Sequence, residues 1–168
     1  LRDAGIIQGT GGGYFGLSTI TEAEALKTML GSRGYDEADG RALPPVPRSV
    51  VGYETGWYDA WYRIAVSQNI IRDFADPNHA IPRERYAVLA ARTWKKELRG
   101  FDASDIPFED VSTRDPFAYA VLLMNQTEVD VPGEGKTPII EGYADGTFRP
   151  NSLISRKDAM YLLYRALL

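Results

Sequence analysis

The side chains that carry most enzyme chemistry are scarce in this chain. It has no cysteine, which excludes disulfides, zinc thiolates and thiol nucleophiles. It has one histidine, His79, which leaves nothing for a multi-histidine metal site or a histidine relay with a backup. His79 ends the turn-forming run Asp76-Pro77-Asn78-His79 and reads as a loop residue. Gly133-Glu134-Gly135-Lys136-Thr137 looks like the end of a phosphate-binding loop. The first glycine such a loop requires would stand at Asp130, and no hydrophobic strand leads in, so no nucleotide site is expected. Gly9-Thr10-Gly11-Gly12-Gly13 could wrap an anion but lacks a following Lys-Ser/Thr pair. The loop at Asp145 lacks the alternating oxygen ligands of an EF-hand. Carboxylates are plentiful, but none falls in a recognisable enzyme pattern. No catalytic residue, metal or cofactor is expected.

The elements that could position a binding site are more informative. The chain has 168 residues and 18.7 kDa, enough for one compact domain or an array of small repeats. It is 44% hydrophobic and 25% charged, ordinary globular proportions. The net charge of −4 argues against a general nucleic-acid binder. No apolar run approaches the roughly 18 residues of a membrane-spanning helix, so no span is expected.

Three segments resemble one another: Ile20-Thr21-Glu22-Ala23-Glu24-Ala25, Ile81-Pro82-Arg83-Glu84-Arg85-Tyr86 and Ile154-Ser155-Arg156-Lys157-Asp158-Ala159. An isoleucine pair precedes each one, at Ile6-Ile7, Ile70-Ile71 and Ile139-Ile140. Two landmarks in the same order three times argue for internal repetition.

Each segment opens a helix. Thr21 and Glu24 have the spacing of a capping box, and Ser155 with Asp158 is a shorter version. The middle copy starts on Pro82 and places Arg85 where the acid should be, so its cap is weaker. The isoleucine before each cap can pack on Ala25, Tyr86 or Ala159 as a hydrophobic staple. The helices then bury one stripe each: Leu26, Met29 and Leu30; Ala87, Ala90 and Ala91; Met160, Leu163 and Tyr164.

Leading helices are expected over 57–71, with Trp57, Trp61, Ile64 and Ala65 on one apolar side, and from 115 to about 125, with Phe117, Val121 and Leu122. The first copy has only residues 1–7 in this position. The proline-bearing stretch 31–56 reads as a connector, and Val131 to Pro138 as an insertion.

These residues resemble the S-layer homology (SLH) family. Its repeat has a Phe-x-Asp-Val entry, a Gly-Ile-x-x-Gly step, a Gly-Tyr-x-Asp-Gly-Thr-Phe-Arg-Pro-Asn loop and an Ile-Thr-Arg-Ala-Glu cap. The third copy matches closely. Phe108-Glu109-Asp110-Val111 is the entry, Gly142-Tyr143-Ala144-Asp145-Gly146-Thr147-Phe148-Arg149-Pro150-Asn151 the loop, and Ile154-Ser155-Arg156-Lys157-Asp158 the cap. Gly5-Ile6-Ile7-Gln8-Gly9 and the Ile20 cap carry the first copy; Trp57, Ile70-Ile71 and the Ile81 cap carry the second. The resemblance implies an all-α fold, a pseudo-threefold spindle of three helix-loop-helix repeats around a central helical bundle. The expected organisation is a partial first repeat over 1–34, a connector over 35–56, a second repeat over 57–100 and a third over 101–168.

The resemblance also implies a function. Such domains hold surface proteins on the cell envelope without a covalent bond. They bind a secondary cell-wall polysaccharide, or another peptidoglycan-linked glycan, commonly one carrying pyruvate ketals, in grooves between repeats. The implied ligand residues are Arg156 and Arg83 of the caps, Tyr143, Asp145, Gly146 and Arg149 of the loop, and Trp57. Arginine suits a ketal pyruvate because its guanidinium binds a carboxylate through two hydrogen bonds and stays charged. Arg156 also stands just inside a helix N-terminus, where free N–H groups and the dipole favour an anion. Aromatic rings can cover the apolar faces of sugars, which suggests Trp57, Trp61 and Tyr143.

Structural readings of the same residues stand beside these. Trp57 and Trp61 fit an apolar core face. Asp145-Gly146 fits a turn in which aspartate bonds its own backbone. Arg149 fits a brace against a carboxylate. Glu22 stands where the family's cap arginine should be and would repel an anion. The second copy lacks the glycine-rich loop, with Arg72 to His79 in its place. At most two competent grooves are expected. The alternative function is a structural module that packs against neighbouring protein subunits in a surface layer, sheath or filament. An enzyme would need a catalytic domain outside these residues. The short first leading segment is expected to expose the flank around Trp61, Ile64 and Val121 unless the 31–56 stretch, upstream residues or a neighbour covers it. The apolar end Ala166-Leu167-Leu168 suggests that the native chain continues.

Overall fold

The structure is a computed structural model and describes residues 18–50, 56–73, 75–95 and 105–168. The first isoleucine pair, the segment 1–7 and the glycine run 9–13 lie outside the described residues. Six helices and one hairpin occur among the described residues. They are α1 (Glu22–Ser32), α2 (Glu37–Arg41), α3 (Asp59–Ser67), α4 (Arg83–Trp94), α5 (Ala118–Gln126), β1 (Glu128–Val131), β2 (Gly135–Pro138) and α6 (Arg156–Ala166). The chain is mainly helical, as expected, with one short hairpin added.

The three caps are the organising feature. α1 starts with the full box: the Thr21 hydroxyl accepts from the Glu24 N–H at 3.4 Å, and the Glu24 carboxylate accepts from the Thr21 N–H at 3.1 Å. At α6 the Ser155 hydroxyl accepts from the Asp158 N–H at 3.1 Å. α4 starts on Pro82 with no side-chain cap, as its sequence foretells.

The caps then bind one another through their backbones. Ile81 N–H donates to the Ile20 carbonyl, Ile20 N–H to Ile154 and Ile154 N–H to Ile81, each at 3.1 Å. The residue after each isoleucine pairs with the residue before the next: Thr21 with Ala80, Pro82 with Leu153, Ser155 with Thr19. A second set of bonds repeats the order, from Glu22 N–H to the His79 carbonyl, Arg83 to Ser152 and Arg156 to Ser18. The three sequence copies therefore close a ring of equivalent bonds. Backbone groups that would be orphaned at three helix N-termini are satisfied within it.

Burial follows the predicted stripes except at Tyr164, which is only half-buried. Ile20, Ile81 and Ile154 are buried with Leu26, Met29, Leu30, Ala87, Ala90, Met160 and Leu163 in one core. α1 packs against both α4 and α6. α3 packs on α1, and α5 packs on α4. Small residues on α4 allow the close approach. The pairs Ile70-Ile71 and Ile139-Ile140 are buried where each leading helix turns back toward its loop.

Three boundaries differ from the sequence reading. α3 begins at Asp59 and ends at Ser67, so Trp57 precedes the helix and is 50% exposed, whereas Trp61 is buried. The apolar spacing from Trp57 to Trp61 is helical, but the chain turns at Trp57-Tyr58 before the helix begins. Second, the 31–56 stretch is more than a connector. Asp36 caps α2 by accepting from the Ala38 and Asp39 N–H groups, and α2 packs on α3. A Cβ on Gly40 would come within 2.2 Å of the Ala60 carbonyl oxygen, so only glycine permits that approach. Trp61, Ile64 and Val121 are all buried, which leaves no exposed flank there. Third, the 131–138 insertion is the β1–β2 hairpin, in which Val131 pairs with Gly135 across the turn. Gly133 and Gly135 take φ of +86° and +79°, so the glycines that imitate a phosphate loop serve a tight turn. Its Glu134 is held on α6 by the Tyr161 hydroxyl, at 2.5 and 2.6 Å, and by Arg165 at 3.3 Å.

Candidate functional site

The loop of the third copy is built outward from Asp110. This carboxylate accepts from the Phe148 and Arg149 N–H groups, each at 2.7 Å. Phe148 is thereby drawn into the core, where its ring tilts against Phe108 at 5.4 Å. Arg149 takes a left-handed backbone, φ +57°, which a side chain rarely adopts without such support. The Glu109 N–H donates to the Gly146 carbonyl at 3.2 Å. The Phe-x-Asp-Val entry therefore templates the loop, and Asp110 is the site residue that sequence reasoning passed over. Its signal was the motif itself.

Inside the loop, the Tyr143 N–H donates to the Thr147 carbonyl at 2.8 Å, and the Gly146 N–H to Tyr143 at 3.0 Å. Gly146 turns the chain at φ +79°. Asp145 accepts from the Thr147 N–H at 3.1 Å, the Thr147 hydroxyl at 2.6 Å and Arg149 Nη2 at 2.8 Å. Those donors, Thr147 first and then Arg149, hold its carboxyl down at about 2. Gly142 cannot be larger, because a Cβ would lie 2.4 Å from the Phe108 ring. The turn role of Asp145-Gly146 and the bracing role of Arg149 are both present.

Arg83 supports this loop from beneath. It is buried, with Nε donating to the Phe148 carbonyl at 2.9 Å and Nη2 to the Glu141 carbonyl at 2.8 Å. Burial pushes its pKa below the usual arginine value. Its guanidinium lies 4.8 Å from the Phe148 ring centre and 5.1 Å from that of Tyr143. The exposed Tyr143 ring carries the Arg149 guanidinium at 3.9 Å. The outward surface here is thus a stacked tyrosine–arginine pair, flanked by Asp145.

The structure brings Arg83, Tyr143, Asp145, Gly146 and Arg149 together. Arg156 makes its ion pair on another helix, with Glu24 of α1. The cap arginine that meets the third loop thus comes from the second repeat. Trp57 has its own contacts, edge-on to Tyr58 at 5.6 Å and beneath Lys27 Nζ at 5.5 Å. Glu22 is buried and satisfied: it accepts from Arg85 Nε at 2.7 Å and the Tyr62 hydroxyl at 3.1 Å. Arg85 also grips both oxygens of Asp73 at 2.9 Å. Beside this cluster a cleft of about 150 Å³ is lined by Asp73, Glu84, Arg85, Val88, Arg92 and Phe117, among others.

Among the described residues no helix is long and apolar enough to cross a membrane. No curated protein matches the chain. Residues 139–160 match the family model of the S-layer homology domain. That stretch contains the pair Ile139-Ile140, the Asp145 loop, the cap isoleucine Ile154 and the start of α6. Domains of this family anchor surface proteins to the cell wall by binding its polymers, and they are not enzymes. The loop that Asp110 and Arg83 hold in place, and the cap that follows it, are the stretch of this chain that is similar to an S-layer homology domain.

Proposed function

We propose that the chain is a three-repeat SLH spindle that holds an extracellular protein on the cell envelope by binding a secondary cell-wall polysaccharide carrying pyruvate ketals. The observation that carries this reading is the braced third loop. It holds an exposed tyrosine–arginine stack above the buried Arg83 of the second cap. Arg149 offers its guanidinium to a ketal carboxylate at this loop, and Arg156, at the junction with the first cap, offers one in a separate groove. Tyr143 offers an apolar face to a sugar ring, and Trp57 offers a second one. Asp145 and Gly146 fix the loop, and Arg83 holds it from inside. The domain acts by binding alone, without a catalytic group or cofactor.

Binding to purified cell-wall sacculi tests the reading. The chain is expected to sediment with native sacculi and to stay in solution once pyruvate has been removed chemically. Arg156→Ala should weaken binding by about 1.5–3 kcal/mol, the scale of a charge-assisted hydrogen bond. Equal binding to stripped and native sacculi would exclude the ketal as the ligand. Binding by Arg156→Ala equal to that of the unaltered chain, with the fold intact, would remove Arg156 from the site.

A further inference from the structure

The backbone ring that joins the three caps carries no identity. Its inner bonds each run from an isoleucine N–H to an isoleucine carbonyl, and the outer set and the flanking pairs repeat one register. Any cap could accept any other on these terms. What distinguishes them is the charge at two positions, counted from the isoleucine as the first residue. The third residue of one cap faces the fifth residue of the cap that follows it. Arg156 meets Glu24, and Glu22 meets Arg85. Arg83 lies close enough to Asp158 to feel its charge, although its hydrogen bonds go to the loop carbonyls.

In the Arg156–Glu24 ion pair, and in the longer-range attraction of Arg83 to Asp158, the cation comes from the third position and the acid from the fifth. In the contact between the first and second caps the signs are exchanged. Glu22 is 4% exposed there, so the charge sits where water screens it little.

We propose that the exchanged charges of Glu22 and Arg85 are a pairing code: among the three caps Glu22 finds an opposite charge at the fifth position only in Arg85, and Arg85 finds one at the third position only in Glu22, which fixes the order in which the ring closes. The possible combinations bear this out. If the caps closed in the opposite order, Glu22 would face Asp158 and Arg156 would face Arg85, two like-charge contacts in place of none. If two copies of the first cap met, from two chains, Glu22 would face Glu24. Two copies of the second would set Arg83 against Arg85. With arginine at every third position and an acid at every fifth, all of these arrangements would be equally attractive. One exchange therefore disfavours the reversed order and the self-pairing of the first and of the second cap, while Arg156 against the Asp158 of another third cap stays attractive, and it does so at a seat where a like-charged group is strongly disfavoured.

The test moves the charges without removing the pair. E22R/R85E restores an Arg–Glu contact of the ordinary sign between the first and second caps, but all orders become equivalent. Wild type and variant are unfolded in urea, diluted to low micromolar concentration and followed by light scattering and circular dichroism. Wild type is expected to return to a single native species. Because the new acid at position 85 would face Asp73 and the new guanidinium at position 22 would face the Tyr62 hydroxyl, the native fraction of E22R/R85E is expected to have a lower urea midpoint, and its misassembled or multimeric fraction, compared with wild type at equal native stability, to rise roughly three-fold or more. Refolding of the variant with the wild-type rate and native yield overturns the proposal. Should the double variant yield no native fraction at all, E22Q decides. Its amide still meets Tyr62 and Arg85, but it no longer repels Asp158 or Glu24. A raised misassembled fraction in E22Q supports the code, and wild-type refolding of E22Q overturns it.

Discussion

Asp145 shows how one exposed residue can set the pH range of a loop. Its carboxylate accepts from Thr147 and Arg149, and its pKa lies at about 2, below the ordinary carboxylate value of 3.8. The sign follows directly. Bonds to the charged form contribute fully above the unfolded value, weaken as pH falls through the interval between the two values, and are gone below about 2. The loop should therefore keep its shape through pH 4 and loosen only nearer pH 2. A carbon-detected NMR titration of the Asp145 carboxyl checks this, and a midpoint near 4 would contradict it. Much of this site could be read from residue types. The Asp-Gly turn, its aspartate-to-backbone bond and the bracing arginine all follow from local turn chemistry, which acts over a few residues. The source of Arg83 could not be read that way. Its contacts with Phe148 and Glu141 span 65 and 58 residues of sequence, and no local pattern encodes such a distance. Asp110 lies between these cases: its motif was visible, but its role depended on a loop 38 residues away.

At the level of elements, periodicity and capping located α1, α4 and α6 because apolar stripes and boxed caps act within a few turns. They missed α2, whose five residues have too little periodicity to register. Its signal was Asp36 with Asp39, where each side chain reaches the other's backbone N–H. The hairpin was missed for a similar reason, since its strands are four residues long and mostly exposed. The seat of α2 on α3 depends on Gly40. Gly40→Ala would drive a methyl group into the Ala60 backbone, which cannot rotate away as a side chain could. A loss of about 2 kcal/mol or more is expected, of the size seen when well-packed contacts are overfilled. Urea unfolding followed by circular dichroism would measure it. An unchanged midpoint would mean that α2 contributes nothing to the stability of α3.

For the whole molecule, the ring couples parts of the chain that sequence separates widely. The Ile20, Ile81 and Ile154 amides are each buried and each bonded to another repeat. None can be released unless the caps part. Their hydrogen exchange should be among the slowest in the chain and of similar rate, because one opening event exposes all three. Exchange of one much faster than the other two would show that its cap opens alone. The ring also bears on how such a chain can change its length. In a linear solenoid each unit touches only its neighbours, so a duplicated unit simply extends the stack. Here every N–H and carbonyl of the three isoleucines in the ring is already taken by another cap. A fourth copy arising by tandem duplication would find no vacant seat. Growth by single units is closed to this architecture, and a longer descendant would have to gain a complete set of three.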